Sequence, residues 1–252
     1  RKNFDFRIRE LAVLGLNIKL TTNGILLDRH LDTFCEIGLK HLNISLDTLD
    51  KAKSVFITRR DYYDRIMANI RQAQAAGMHI KLNVVLVKGV NDSEINDFIA
   101  LTEKQPIEVK FIEFMPFKGN QWDWSKGVSQ ETILETVKAG FGGFEQLETP
   151  PHSTSTRYRV PGHAGGFGIV STITNPFCAG CNRIRLTADG KMKNCLFAKS
   201  ETDLLTPFRQ GRDIEPIILE TIQHKKFSRD GMDVKMDASH YEQNRAMISI
   251  GG

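Results

Sequence analysis

The chain has 252 residues, of which 40% are hydrophobic and 25% charged, with 34 basic against 30 acidic residues. The net charge of +4 is too small to indicate nucleic acid or a membrane surface as a partner. No stretch approaches the roughly 18 consecutive apolar residues of a transmembrane helix. We therefore predict neither a membrane span nor nucleic-acid binding. The length allows one large α/β domain or one domain with an appended module.

Strand-like and helical runs alternate along the first half of the sequence. Gly38 and Gly77 stand where helix C-caps are expected, and Asp92 or Ser93 can cap the start of the helix that follows. Repeated βα units predict a parallel sheet or barrel with a ligand site at the C-terminal ends of its strands. The predicted strands are 17–22, 41–46, 79–87 and 109–114, and the predicted helices are 4–14, 28–37, 62–76 and 93–104.

One face of these predicted strands is polar, although strands of a parallel sheet covered on both sides are nearly all apolar. Because side chains alternate along a strand, each polar set projects to one side. Two interpretations stay open: a solvent-exposed sheet face, or the lining of a wet cavity in a barrel that holds a polar ligand. A buried Lys81 would need an anionic partner, which a phosphate could supply. The polar residues are Thr21, Asn23, Asn43, Ser45, Asp47, Lys81 and Asn83.

The pattern changes after Met115. We place a domain boundary there, with a barrel-like domain over 1–115 and an extension over 116–252. The Asp189-Gly190 pair between two strand-like runs predicts a β-hairpin. The extension is predicted to hold an irregular loop at 117–127, helices at 129–138, 204–210 and 215–224, and strands at 155–160, 166–174, 183–187 and 191–196.

Three of the four cysteines, Cys178, Cys181 and Cys195, flank the predicted hairpin. A Cys-x-x-Cys turn and a third cysteine on the neighbouring strand can converge on one metal centre. An iron–sulfur cluster, a zinc ion and free thiols stay open, but structural zinc takes four ligands and no fourth Cys or His has a suitable spacing. Three cysteines suit a cubane cluster that leaves one iron without a protein ligand. The fourth cysteine, Cys35, is expected to be a buried small hydrophobe.

Basic residues lie close to the cysteines in the sequence. Arg183 and Arg185 are two apart on a predicted strand, so they are expected to share a face beside the metal centre. Paired guanidinium groups at this spacing suit phosphate oxygens. The alternative is a salt-bridged surface strand. The later cluster of Lys225, Lys226 and Arg229 is interpreted as a solvated helix end.

Six short motifs follow one another along the chain. They are Thr-Thr-Asn-Gly (21–24), Asn-Ile-Ser-Leu-Asp (43–47), Phe-Ile-Glu-Phe-Met-Pro (111–116), Phe-Cys-Ala-Gly-Cys-Asn-Arg-Ile-Arg (177–185), Cys-Leu-Phe (195–197) and Ile-Gly-Gly (250–252). Together they resemble the radical-SAM GTP 3′,8-cyclase family of molybdenum cofactor biosynthesis, the molybdenum cofactor biosynthesis protein A family. The resemblance implies an α/β fold: an incomplete (β/α)6 TIM-like barrel, whose last four strands are present, with a C-terminal α+β cluster-binding extension.

This resemblance also implies a function for the full-length parent protein. The parent would be a lyase that converts GTP to (8S)-3′,8-cyclo-7,8-dihydroguanosine 5′-triphosphate, the first step of molybdenum cofactor biosynthesis. Two 4Fe–4S clusters are implied in the parent: one cleaves S-adenosylmethionine to a radical, and the other, ligated by this chain, helps to hold GTP. Expected partners are GTP, S-adenosylmethionine, an electron donor and the downstream cyclic pyranopterin monophosphate synthase, with a homodimer left open.

The resemblance assigns roles to individual residues. Cys178, Cys181 and Cys195 would ligate the cluster on the GTP side, and the Gly251-Gly252 tail would reach toward the active site. No catalytic residue is assigned. The implied GTP contacts are Thr21, Lys81, Arg183, Ile184 and Arg185, and the implied S-adenosylmethionine contacts are Ser45 and Met115.

Two family features are absent from the sequence, the Cys-x3-Cys-x2-Cys motif of the first cluster and a Gly-Gly-Glu-Pro segment. We therefore expect an N-terminally truncated fragment that is inactive alone. The alternatives are a zinc-stabilised nucleotide-binding module without radical chemistry, and a natural relative that binds GTP but makes no radical. Lys110 stands where relatives often carry Arg. The stretch 115–122 resembles eukaryotic members, which favours the mitochondrial matrix over the bacterial cytoplasm.

Overall fold

The computed structural model describes residues 3–229 and 245–250. The chain divides into two compact units, each with its own sheet. The first unit holds the described parts of Arg1–Glu113 together with Val128–Glu148 and Ser155–Val170. The second unit holds Phe114–Gly127, Thr149–Thr154 and the described parts of Ser171–Gly252.

The first unit alternates helices and strands, as the sequence predicts. In chain order it contains α1 (Phe4–Val13), β1 (Leu20–Thr22), α2 (Leu31–Glu36), β2 (His41–Ser45), α3 (Lys51–Thr58), α4 (Tyr63–Ala75), β3 (His79–Leu86), α5 (Ile95–Ala100), β4 (Glu108–Glu113), α6 (Gln130–Phe141), β5 (Glu145–Leu147), β6 (Thr156–Arg159) and β7 (Gly166–Val170).

These strands form one sheet of seven strands in the order β1-β2-β3-β4-β7-β6-β5. The pairs from β1 through β4 to β7 are all parallel, whereas β6 and β5 add antiparallel pairs at one edge. The prediction of an α/β fold with a mainly parallel sheet is therefore confirmed. Parallel neighbours require crossover connections, and helices supply them between β1 and β4.

One face of the sheet is apolar and joins the helices in a single hydrophobic core. Ile66, Ile70 and Ala73 of α4 are buried at a spacing of four and three residues, which puts them on one face of the helix. Burying one isoleucine side chain stabilises the fold by about 1.5–3 kcal/mol. The strands contribute the remaining buried side chains of this core, which include Leu42, Ile44, Ile80, Leu82, Val84, Leu86, Val109 and Phe111.

The helix ends test the predicted caps. Gly38 and Gly77 follow helices with φ values of +69° and +78°, the left-handed conformation that glycine adopts at no steric cost, so both C-caps are confirmed. The prediction that Asp92 or Ser93 caps the start of the next helix is wrong, because α5 follows Glu94 without a side-chain cap. The carboxylate of Asp92 instead accepts a hydrogen bond from the backbone N–H of Gly89 in the preceding turn.

Three short elements were not predicted: α3, β5 and a strand of the second unit, Thr202–Asp203. The N-terminus of α3 is capped by Asp50, whose Oδ1 accepts from the backbone N–H of Lys53 at 2.6 Å. The segment β5 is a strand because it pairs with β6. Pairing partners distant in sequence decide such short strands, and a local pattern does not reveal them.

The second unit contains the predicted hairpin. It has β8 (Arg185–Leu186), β9 (Lys191–Lys193) and β10 (Thr202–Asp203) in an antiparallel sheet, followed by α7 (Leu205–Arg209) and α8 (Glu215–Gln223). Gly190 has a φ of +77°, and a Cβ there would lie 2.5 Å from Cβ of Leu205, so the turn requires glycine. No helix in the described parts of the chain is long and apolar enough to cross a membrane.

The division into units differs from the boundary predicted after residue 115. Residues 128–148 and 155–170 belong to the first unit, because β7 pairs with β4 and draws β6 and β5 into the same sheet. The sequence places β7 some 50 residues after β4 by its numbering, so hydrogen bonding between them was not evident locally. The assignment of functional domains to 1–115 and 116–252 stays a prediction.

Candidate functional site

A row of polar side chains crosses the parallel strands of the first unit. Thr21 of β1 lies opposite Asn43 of β2, which lies opposite Lys81 of β3, which lies opposite Glu108 of β4. Nδ2 of Asn43 donates to Oγ1 of Thr21 at 3.4 Å. Nζ of Lys81 donates to Oε2 of Glu108 at 2.6 Å. The structure therefore brings Thr21 and Lys81, two of the predicted GTP contacts, onto one face of one sheet.

The anion that Lys81 needs comes from the protein. Its side chain is 31% exposed and pairs with Glu108, which also lies 3.8 Å from Nη2 of Arg157. An anionic partner for Lys81 is therefore present, but it is a protein carboxylate and not the phosphate considered from the sequence, because no local pattern shows that Glu108 faces Lys81 on the next strand. A contact between Lys81 and GTP stays a prediction.

A second polar row lies nearer the C-terminal ends of the strands. Ser45, Asn83 and Lys110 occupy matching positions on β2, β3 and β4. Ser45 is exposed. Oδ1 of Asn83 is buried and accepts no hydrogen bond from the residues that the structure describes. An unsatisfied buried acceptor costs about 1–3 kcal/mol, so a ligand or water donor at this position would relieve a real penalty.

Asp47 follows β2 at the same end of the sheet. Burial raises the pKa of its carboxyl group, although a hydrogen bond from the backbone N–H of Val85 at 2.9 Å opposes the rise. The side chain of Asn91 donates to the backbone carbonyls of Asp47 and Val85. Sequence patterning placed Asp47 on the polar face but could not show that it is partly buried.

Met115, the second predicted S-adenosylmethionine contact, lies in the second unit, whereas Ser45 lies in the first. Met115 is partly buried against the small core of Phe117, Ile173, Phe197 and Ile250. Its backbone carbonyl accepts from Nδ2 of Asn120 at 2.6 Å. The shared role of Ser45 and Met115 stays a prediction.

The three clustered cysteines all lie in the second unit, where they are half-buried and form no disulfide. Cys178 and Cys181 stand on either side of a single turn, which the backbone N–H of Cys181 closes by donating to the carbonyl of Cys178 at 3.1 Å. Cys195 follows β9 on the returning arm of the hairpin. Cys35 is exposed on α2, so its expected burial is wrong; its neighbours Thr33 and Phe34 take the buried face.

Within residues 3–229 and 245–250, no three His, Cys, Asp or Glu side chains are placed to hold one metal ion. A single zinc ion requires all its ligands within about 2.3 Å. A cluster is less demanding, because its thiolates bind different irons. Three cysteines on one hairpin, none of them in a disulfide, are the donor set that such a cluster uses. Ligation by Cys178, Cys181 and Cys195 stays a prediction.

The two predicted phosphate ligands differ in their surroundings. Arg183 is exposed, precedes β8, lies 5.9 Å from the ring centre of Phe177 and donates to the carbonyl of His152 at 3.0 Å. Arg185 lies within β8 and is half-buried; burial lowers its pKa, and the nearby Cys195 opposes that shift. Because β8 begins only at Arg185, the expectation that both share a strand face is wrong. Ile184 between them is 51% exposed.

The end of the described chain contacts the same hairpin. Nη1 of Arg185 donates to the carbonyl of Ile250 at 2.9 Å, and the side chain of Ile250 is fully buried. Arg245 forms ion pairs with Asp189 at 3.1 Å and with Glu201 at 2.7 Å. The predicted tail residues Gly251 and Gly252 lie outside the described residues.

Sequence reasoning missed Lys225. It was interpreted as part of a solvated helix end, but it is half-buried against the cysteine hairpin. Its Nζ lies 3.8 Å from Sγ of Cys181, 2.6 Å from the carbonyl of Arg183 and 3.0 Å from the carbonyl of Asn194. Arg229 is also engaged within the second unit, because its Nη1 donates to the carbonyl of Ile173 at 3.1 Å. No local signal in the sequence distinguishes such a lysine from a solvated one.

Two family models match consecutive parts of the chain. The model of the radical SAM superfamily matches residues 1–102, and the model described as Molybdenum Cofactor Synthesis C matches residues 107–230. The first match is a similarity to the radical SAM superfamily, a class that implies a 4Fe–4S cluster and S-adenosylmethionine. The second match adds the C-terminal region found in molybdenum cofactor synthesis.

Curated relatives narrow the class. The chain is 44% identical to the mitochondrial GTP 3′,8-cyclase of Arabidopsis thaliana over 100% of its own length and 65% of the relative's. It is 41% identical to the GTP 3′,8-cyclase of Peptoclostridium acidaminophilum, over 100% of this chain and 76% of that protein. It is 40% identical to molybdenum cofactor biosynthesis protein 1 of Homo sapiens, over 97% of this chain and 38% of that protein. The chain belongs to the GTP 3′,8-cyclase family.

Proposed function

We propose that this protein takes part in the conversion of GTP to its 3′,8-cyclised product, the first step of molybdenum cofactor biosynthesis, with S-adenosylmethionine as the co-substrate. The observation that carries the proposal is identity of 41% and 44% to two GTP 3′,8-cyclases over the whole of this chain. The chain spans 65% of the length of the plant relative and 76% of the length of the bacterial one.

The parallel strands β1 to β4 are, in this proposal, the last four strands of an incomplete TIM-like barrel. Their polar face, with the rows through Thr21 and Ser45, supports this assignment. In parallel α/β folds, ligands bind at the C-terminal ends of the strands. The unsatisfied Oδ1 of Asn83 lies in the same row as Ser45, which supports a polar ligand there.

GTP would bind through its phosphates to Arg183 and Arg185 and through further contacts to Thr21, Lys81 and Ile184. The exposed guanidinium of Arg183 suits phosphate oxygens, which accept two parallel hydrogen bonds from one arginine. Lys81 already donates to Glu108, so contact with a phosphate would require its ammonium group to bind both anions or to leave Glu108. The proposal is therefore better supported for the arginines than for Lys81.

Cys178, Cys181 and Cys195 would hold the substrate-side 4Fe–4S cluster. When bound, the cluster supplies an iron without a protein ligand, at which a substrate atom can bind. Two of these cysteines lie beside positively charged groups, since Lys225 contacts Cys181 and Arg185 interacts with Cys195. These contacts place cationic groups against two of the sulfurs that would bind iron.

The wider biochemical setting also belongs to the proposal. An electron donor would supply reducing equivalents, and a cyclic pyranopterin monophosphate synthase would use the product. Relatives include one named mitochondrial and others from bacteria, which leaves the mitochondrial matrix as our preferred compartment. A homodimer remains open to measurement.

Anaerobic iron reconstitution of the chain tests the proposed site. We expect about four irons per chain, a brown colour and GTP binding that is measurable by calorimetry. Arg183→Ala should weaken GTP binding, because it removes a phosphate ligand, whereas the exposed Arg209→Ala in the same unit should not. A colourless protein that binds one zinc and no GTP would contradict the proposal. For the full-length protein, product formed from GTP, S-adenosylmethionine and dithionite, detected by mass spectrometry, tests the reaction.

A further inference from the structure

The ammonium group of Lys225 has three acceptors, all on or beside the cysteine hairpin. Nζ donates to the carbonyl of Arg183 at 2.6 Å, to the carbonyl of Asn194 at 3.0 Å and to Sγ of Cys181 at 3.8 Å. A lysine ammonium has three N–H donors, so these contacts use its full capacity. Lys225 is thus engaged as completely as a structural lysine can be.

The three acceptors lie on both arms of the hairpin. Arg183 follows Cys181 on the first arm, and Asn194 precedes Cys195 on the second. One side chain therefore joins the segments that carry Cys181 and Cys195. A second link connects the hairpin to α8, which ends two residues before Lys225, because Nδ2 of Asn194 donates to the carbonyl of Thr221 in α8.

We propose that Lys225 is a positioning residue for the cluster site. It holds the two cysteine-bearing arms at a set separation and places a positive charge against Cys181. This inference rests on the cluster assignment made under the proposed function. It assigns Lys225 a role in the site that differs from ligation or phosphate binding.

The physical consequences concern both retention and redox behaviour of the cluster. Groups that orient metal ligands typically change metal affinity by about 10- to 100-fold when they are lost. Hydrogen bonds and positive charge near the sulfurs favour the reduced cluster, which carries one more negative charge. Loss of Lys225 should therefore weaken iron retention and lower the reduction potential of the cluster.

The test compares Lys225→Met with the wild-type chain after anaerobic reconstitution. Methionine keeps most of the unbranched side chain but removes the charge and the three donors. We expect iron loss to a chelator to become about 10- to 100-fold more favourable, and the reduction potential, measured by EPR-monitored titration, to fall. Lys199→Met is the matched control, because it removes one positive charge from an exposed lysine of the same unit.

Further variants separate positioning from folding. Lys225→Gln keeps donors but removes the charge, so its potential should also fall even if Lys225→Met does not fold. Lys225→Arg keeps the charge and should restore most of the potential. A wild-type potential and iron retention in both neutral variants overturn the inference. A wild-type chain that binds no iron instead contradicts the proposed cluster itself, so the two failures are distinguishable.

Discussion

The two units of this protein are stabilised in different ways. The first unit has a continuous hydrophobic core in which strand residues such as Leu42, Val84 and Phe111 are fully buried. The buried core of the second unit contains Phe117, Ile173, Phe197 and Ile250. The second unit adds charged contacts around its hairpin. A small core buries little apolar area, so polar contacts carry more of the stability there.

The charged contacts of the second unit converge on Glu201. Lys193 is only 1% exposed and lies 3.7 Å from Oε1 of Glu201, while Arg245 lies 2.7 Å from Oε2. Burial lowers the pKa of Lys193, and Glu201 opposes that shift. Arg245 also pairs with Asp189 in the turn of the hairpin. These contacts join the segment that precedes the Gly-Gly tail to the cysteine hairpin.

The largest expected effect tests the core of the first unit. Phe111→Ala should destabilise the protein by about 3–5 kcal/mol, because it leaves a cavity beside Phe98, whose ring packs edge-on against it. Both tryptophans, Trp122 and Trp124, lie in the second unit, so their fluorescence reports that unit while far-ultraviolet circular dichroism reports the whole chain.

In urea unfolding, Phe111→Ala should therefore shift the circular dichroism transition more than the fluorescence transition. Phe56→Ala, at an exposed position of α3, is the control and should change stability by less than about 0.5 kcal/mol. Equal shifts of both transitions would show that the two units unfold as one and would remove the contrast between them.

The next effect tests the charged contacts of the second unit. Glu201→Gln should destabilise it by about 3 kcal/mol, because the change removes the carboxylate charge that faces the buried Lys193. The fluorescence transition reports this loss. Adding Lys193→Met to Glu201→Gln should recover much of the stability, since an apolar side chain has no need of an anion. No recovery in the double variant would assign the loss to the contact with Arg245 instead.

The smallest effect is a pH dependence in the first unit. Burial opposes the ionisation of Glu94, but hydrogen bonds from Lys53, the backbone N–H of Leu49 and the hydroxyl of Thr48 outweigh it and lower its pKa below the ordinary value of 4.5. A lowered folded-state pKa stabilises the protein above the unfolded-state value, and this contribution disappears as pH falls through the folded-state pKa.

Glu94→Gln should therefore cost about 1–3 kcal/mol near pH 7. The difference from the wild type should shrink as the pH falls below 4.5. Unfolding by urea at a series of pH values measures this dependence. If the difference in the free energy of unfolding stays constant at all acidic pH values, the charge of Glu94 makes no contribution to stability.

Local patterns predicted the elements whose causes are local. The parallel strands β1 to β4 were predicted within three residues at each end, because apolar and polar side chains alternate along them. Gly38, Gly77 and Gly190 were recognised because glycine is the residue that most readily adopts a positive φ, and this preference does not depend on distant contacts. The cysteine hairpin was predicted from its Asp-Gly turn, and the family was recognised from short motifs that lie within single segments.

Contacts between distant segments were not predicted. The sequence contains Lys81 and Glu108 but not the fact that adjacent strands place them opposite each other. It contains Lys225 but not its position against the carbonyls of Arg183 and Asn194. Such contacts depend on register and packing, which sum over many residues and have no local signature.

The sequence by itself determined the alternation of strands and helices, the cysteine hairpin and membership of the GTP 3′,8-cyclase family. These features follow from side-chain periodicity, turn chemistry and short motifs, each contained within a few neighbouring residues. Only the tertiary structure decided that β7 joins β4, that Glu108 neutralises Lys81 and that Lys225 joins the arms of the hairpin. Those outcomes require residues far apart in the chain to meet, and hydrogen bonding and burial in the folded protein determine which of them do.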